Sequence, residues 1–128
     1  MIWVVKFVAS KENPVIKQVV FLKKRADLDT AAFRAYYEEH HRKIGERVLA
    51  GFVEKYVRRY VEQPQPVSGE PPFDVITEMW FADQDRQMAC MKHLREPSIA
   101  EEIAVDEARL FDGSAKWGCT LSEIESDL

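Results

Sequence analysis

The stretch Phe73-Asp-Val-Ile-Thr-Glu-Met-Trp-Phe-Ala82 is the clearest β-strand in the chain. Successive side chains alternate across a strand. Phe73, Val75, Thr77, Met79 and Phe81 therefore share one face; Asp74, Ile76, Glu78, Trp80 and Ala82 share the other. Both faces carry large apolar groups, so both need cover. With 128 residues the chain is one domain, and its apolar content of 46% is ordinary for a globular protein.

Downstream of that strand, Asp83 reads as the N-cap of a helix with Met88, Met91 and Leu94 on its inner side and His93 toward solvent. Pro97 interrupts it. Ser98-Ile-Ala-Glu101 has the spacing of a capping box and predicts a further helix to about Leu110. Asp112-Gly113 is a turn, and Ala115 to Leu121 a last strand in which Trp117 and Cys119 alternate with Gly118. Residues 122–128 form a short acidic tail.

Upstream, Glu62 to Pro72 holds four prolines and a glycine, the composition of a surface loop. Phe52 to Val61 alternates, with Phe52, Tyr56 and Tyr60 on one face and Val53, Val57 and Val61 on the other. Before it, Leu28-Asp-Thr30 opens a long helix, capped by Asp29 or Thr30, that runs to about Leu49 and ends at Gly51. Val15 to Leu22 is a strand, and Ser10 to Pro14 a turn. Met1 to Ala9 is apolar but broken by Lys6, and reads as an extra strand rather than a signal peptide.

Residues 15–121 thus follow the order β-α-β-β-α-β, the ferredoxin-like split βαβ arrangement of the α+β class, with an extra N-terminal strand in residues 1–14. Helices cover one face of such a sheet. The other face here carries aromatic and aliphatic groups, and a closed two-fold homodimer packed sheet to sheet would cover it. The net charge of -4, with Lys and Arg spread along the chain, does not point to nucleic acid. No stretch has the apolar length of a membrane helix. Two cysteines are too few for a disulfide framework and are compatible with a reducing cytosol, so a cytoplasmic location is expected.

The long helix carries the chemistry. At 100° per residue Phe33, Tyr37, Ile44 and Val48 form one stripe, and His40 and His41 fall on either side of it. Histidine titrates near neutrality and works as acid or base without a cofactor. His40 and His41 are adjacent, diverge by about 100°, and make a poor metal pair. No phosphate loop, nucleophile elbow or zinc spacing is present, so neither metal nor cofactor is expected. Tyr37, one turn before His41, is the favoured phenol; Tyr36, Tyr56 and Tyr60 are others. Glu78, mid-strand among apolar groups, is expected to have a raised pKa and to pair with imidazole. Asp74, Trp80, Phe33, Tyr56 and Trp117 are the candidate substrate contacts.

Four segments together resemble the EthD family of the dimeric α+β barrel superfamily, over roughly Val15 to Leu121. Val19-Val-Phe-Leu-Lys-Lys-Arg25 resembles its first strand. Leu28-Asp-Thr-Ala-Ala-Phe-Arg-Ala-Tyr-Tyr-Glu-Glu-His-His41 resembles its histidine-bearing helix. Phe73-Asp-Val-Ile-Thr-Glu-Met-Trp-Phe81 resembles its central strand, and Asp106-Glu-Ala-Arg-Leu-Phe-Asp112 the acidic segment before its last one. By spacing from Phe33, His41 matches the family histidine and His40 is additional. Tyr37 stands where the family usually has tryptophan. The resemblance implies a pocket between helices and sheet for a small-molecule substrate. Relatives include cyclases, dehydratases, decarboxylases, isomerases, monooxygenases and some haem-binding members. The expected function is a cofactor-independent lyase, cyclase or isomerase acting by acid–base catalysis on an aromatic or polyketide-like molecule. The alternatives are a cofactor-free or haem-dependent monooxygenase, and a non-catalytic small-molecule-binding or accessory protein.

Overall fold

The structure, a computed structural model, describes residues 15–62 and 69–128. The expected strand Met1–Ala9 and turn Ser10–Pro14 lie outside the described residues, as does the middle of the proline-rich loop. Strands β1 (Ile16–Leu22), β2 (Lys55–Tyr60), β3 (Val75–Phe81) and β4 (Trp117–Leu121) form one sheet in the order β2-β3-β1-β4, all neighbours antiparallel. Between β1 and β2, α1 (Thr30–Tyr36), a π-helical turn (Tyr37–His41) and α2 (Arg42–Leu49) run on as one helix. Between β3 and β4 lie α3 (Gln84–Leu94), α4 (Pro97–Ala108) and a 3-10 turn (Gly113–Ala115). This is the ferredoxin-like βαββαβ order of an α+β fold.

The two-faced strand sits in the interior of the sheet, as its composition requires. Val75, Thr77, Met79 and Phe81 are buried against the helices. Leu22, Phe33, Tyr37, Val75, Leu110 and Phe111 form one core cluster; Val48, Leu49, Met79, Phe81 and Cys90 form a second. Burying a side chain the size of Phe33 or Phe81 stabilises a fold by roughly 1.5–3 kcal/mol. The first helix begins at Asp29, whose carboxylate accepts from Ala32 N at 2.7 Å, and the chain turns away at Gly51 with φ +85°. Only glycine adopts that left-handed conformation without strain.

Three expectations about the second helical region are corrected. Met88 is exposed, not inward, because Cys90 is the fully buried centre of the inner stripe and Met88 lies two residues, about 200°, from it. The Ser98–Glu101 capping box does not form. Glu96 takes the N-cap position with no side-chain bond, and Pro97 occupies the first turn, where its missing N–H costs nothing. His93 does not simply face water; its ring stacks on Phe52 at 4.8 Å.

The sheet's other face presents Val19 and Phe21, Ile76, Glu78 and Trp80, and Trp117, Cys119 and Leu121 along β1, β3 and β4, as the register dictates. Trp117 is 56% exposed and Leu121 42%. The two cysteines divide between the faces: Cys90 is buried on the inner side of α3, and the half-buried Cys119 lies on the outer face beside Val19. The acidic tail is tied at its start, where Glu123 meets Lys17 at 2.6 Å. Among the described residues no helix is long and apolar enough to cross a membrane.

Candidate functional site

The π-helical turn sets the position of His41. Arg42 N–H bonds back to Tyr37 O, five residues away, and Arg42 Nε donates to Glu38 O at 2.8 Å. An α-helical step from Tyr37 to His41 would advance about 40° round the axis, away from the Phe33 stripe. A π turn of roughly 4.4 residues falls short of a full circle over the same four residues and cancels that drift. Phe33, Tyr37 and His41 are consequently all buried on one side. Tyr37 and Phe111 hold the imidazole edge-on, with ring centroids 5.0 and 5.5 Å from it.

His41 Nδ1 lies 2.7 Å from Oδ2 of Asp106, in the last turn of α4, and both side chains are buried. Tyr36 donates its hydroxyl to Asp106 Oδ1 at 2.6 Å. Burial, and then this bond to a carboxylate, raise the Tyr36 pKa, so it remains a donor. A carboxylate only accepts, so Nδ1 carries the proton and Nε2 of the neutral ring holds the free lone pair. Among the described residues Nε2 has no hydrogen-bond partner and no buried polar side-chain atom is left unpaired. Nε2 is therefore the nitrogen open to the space that His41 lines.

That space is a cavity of about 450 Å³ between the helices and the sheet. Its walls are apolar, with Val20 and Met79 from the sheet, Ile44 and Val48 from α2, Met91 and Leu94 from α3, and Ile103 from α4. The size and lining suit a small, mainly apolar molecule. The polar groups reaching it are His41, Tyr56, Thr77, Gln18 and the pair Glu107–Lys116, whose charged atoms are 2.9 Å apart.

Of the residues singled out from sequence, His41 and Tyr56 line this cavity. Tyr37 lies just behind it, its hydroxyl 2.7 Å from Thr77 Oγ1 and 3.1 Å from Tyr56 OH. Burial pushes the Tyr37 phenol well up. Phe33 belongs to the core behind Tyr37, at 6.5 Å between ring centroids. His40 points outward and packs on Tyr36 at 4.7 Å.

The remaining candidates are elsewhere. Glu78 is a correction on two counts. It lies on the outer face of the sheet, away from His41, because β3 alternates. Burial raises its pKa, but bonds from Arg59 at 2.6 Å and Trp80 Nε1 at 2.9 Å outweigh that and hold the carboxyl below its ordinary value. Trp80 is on the same outer face, under Lys17 and Lys55 at 3.9 and 4.5 Å. Trp117 packs there on Phe21 at 5.3 Å. Asp74 accepts from Lys24 N at 2.8 Å and faces Lys23, which makes it an anchor for the end of β1. Among the described residues no three His, Cys, Asp or Glu side chains gather as a metal site would need. The residue missed was Asp106. Its only signal was its place in the acidic segment already compared with the family, where it stands beside Glu107.

The EthD domain profile matches residues 25–114. An EthD family protein from Bacillus halodurans has the same fold with a TM-score of 0.62 at 16% identity, over 87% of this chain and all of that one. A dimeric ferredoxin-like protein from Bacteroides fragilis superposes with a TM-score of 0.57 at 14% identity, over 85% of this chain and 96% of that one. SnoaB from Streptomyces nogalater, a cofactor-independent oxygenase, superposes with a TM-score of 0.55 at 9% identity, over 88% and 95%. At such identities the likeness is one of fold. No curated protein sequence matches the chain.

Proposed function

The chain belongs to the EthD domain family, and from that premise we propose that it is a proton-transfer enzyme of the lyase, cyclase or isomerase type, acting on a small aromatic or polyketide-like substrate. The observation that carries the reading is the 2.7 Å contact between His41 Nδ1 and the buried Asp106, with the opposite ring nitrogen turned to the apolar cavity. Asp106 fixes the tautomer and favours the imidazolium that forms when Nε2 takes a proton. His41 Nε2 removes a proton from the substrate and returns it elsewhere. Apolar walls take up the apolar part of the substrate and keep it close to the base.

The test is turnover of a panel of β-hydroxy ketones and polyketones. His41→Ala is expected to lower the rate by roughly 10²–10⁴-fold, the usual contribution of a positioned acid–base group. Full activity in that variant would refute the assignment. The oxygenase reading has one support, the fold shared with SnoaB. The same base would there ionise a phenol or enol ahead of reaction with oxygen, and oxygen uptake during turnover separates the two. We also propose a homodimer through the outer sheet face, supported by the exposed Trp117 and Leu121 and by the dimeric relatives of the same fold. Light scattering that gives a monomer at micromolar concentration would remove it.

A further inference from the structure

Along the same cavity wall, a second polar group lies against the helix one turn beyond His41. Gly45 follows His41 by four residues on the same side of the helix, so the two positions are spaced about 5–6 Å apart. A Cβ at residue 45 would lie 2.7 Å from Tyr56 OH and 2.9 Å from its Cζ. A glycine inside a helix costs about 1 kcal/mol relative to alanine. Here it makes room for the Tyr56 phenol to lie directly against α2, beside the base.

The Tyr56 hydroxyl is also backed by a chain of donors. Thr77 Oγ1, Tyr37 OH and Tyr56 OH follow one another at 2.7 and 3.1 Å. With Thr77 donating to Tyr37 and Tyr37 to Tyr56, the Tyr56 proton is the one left for the cavity. Each bond in such a chain polarises the next. Burial raises the Tyr56 pKa, so the group is a neutral donor across the ordinary pH range.

We propose that Tyr56 is a catalytic hydrogen-bond donor to a developing oxyanion, beside His41, and that the substrate is an enolisable carbonyl compound with an apolar remainder. This rests on the reading of His41 as the base. In the step, the bond between the α-carbon and hydrogen breaks and the proton goes to His41 Nε2. The electron pair forms the enolate double bond, and the carbonyl π pair moves onto the oxygen that Tyr56 bonds. Return of the proton at another carbon gives an isomer. Its transfer to a departing β-hydroxyl gives water and an unsaturated ketone. Tyr37 acts through Tyr56 as a positioning residue.

Binding of 4-nitrophenol tests this without the natural substrate, since its phenolate mimics the enolate and its absorbance reports ionisation. The wild-type protein is expected to bind the phenolate. Tyr56→Phe keeps the ring and is expected to lower phenolate affinity roughly 10–100-fold, the loss of one hydrogen bond to a charged oxygen. Gly45→Ala, which displaces the phenol without harming the helix, is expected to do the same. Tyr37→Phe is expected to cost about 2–5-fold and to raise the bound phenol's pKa. Wild-type affinity in folded Tyr56→Phe protein, or no binding to the wild type, would overturn the proposal. If Tyr56→Phe binds normally while His41→Ala loses turnover, the donor fails and the base stands. If Tyr56→Phe loses affinity while His41→Ala keeps full turnover, the donor stands and the base fails.

Discussion

The two faces of the sheet each bury a carboxylate, and they use it differently. On the helix side Asp106 is shared between an imidazole and a phenol at 2.7 and 2.6 Å. On the outer side Glu78 is bound to a guanidinium and an indole N–H at 2.6 and 2.9 Å. Guanidinium does not give up its proton near neutrality, so the Glu78–Arg59 pair is fixed in charge. An imidazole, unlike a guanidinium, is a side chain able to pass a proton on and take it back, which is what acid–base work needs. Burial alone does not make a reactive site; the titration range of the partner does.

The largest test of this contrast is kinetic. Against the His41→Ala loss of roughly 10²–10⁴-fold, Arg59→Ala is expected to change turnover less than about twofold, because nothing on the outer face reaches the cavity. A large effect at Arg59 would mean that the two faces are coupled.

Stability should separate them next. Asp106→Ala strands the donors of Tyr36 and His41 and is expected to cost roughly 1–3 kcal/mol in a denaturant melt. Glu78→Ala leaves a guanidinium whose side chain is already 56% exposed, and should cost less than about 1 kcal/mol after solvent screening. The reverse order would show the outer pair to be the structural one.

The faces should also respond to opposite ends of the pH scale. Tyr37 and Tyr56 have pKa values raised chiefly by burial. The unfolded chain loses these protons near the ordinary tyrosine value of about 10. The stability they lend is therefore full below that pH and drains away as pH climbs toward the folded values. Tyr37→Phe is expected to melt lower at neutral pH, by roughly 0.5–1.5 kcal/mol, yet to lose less on moving to alkaline buffer. Glu78, held below its ordinary value, works in the other direction. Its contribution is present above the usual glutamate range and lost as pH falls toward the lowered value. Glu78→Gln should show the smallest effect of all, a flatter acid limb in thermal melts recorded against pH.

Much of the fold was legible because it depends on local patterns. The alternation gave the central strand, and the correct face for each of Val75 to Phe81; Phe73, placed on the inner face by the same pattern, precedes the strand and packs on Phe21 of the outer face at 5.1 Å. Asp29 and Gly51 marked both ends of the first helix. His41 was legible as an inward histidine from its closeness to the Phe33–Tyr37 stripe. The π turn was not, since Tyr37 to His41 contains no glycine or proline to announce it. Asp106 was hidden for a different reason. It meets His41 across 65 residues, and only the packing of α4 on the first helix brings them together. Glu78 misled because burial alone leaves out Arg59, which the β2–β3 register sets opposite Ile76, diagonal to Glu78 on the same face. Local sequence shows that a carboxylate is enclosed; the register shows what encloses it.

The division of the two cysteines gives the molecule a built-in pair of chemical reporters. Burial between α3, which carries it, and the core pushes the Cys90 thiol up to about 11. A thiol reagent reaches it only when the helical layer opens, so its labelling rate measures the frequency of that opening. Cys119 is partly accessible on the outer face, and its rate measures how often that face is uncovered. One reagent, with the two modified peptides resolved by mass, thus reads substrate-side breathing and outer-face contact in a single sample. Neither measurement requires knowing the substrate.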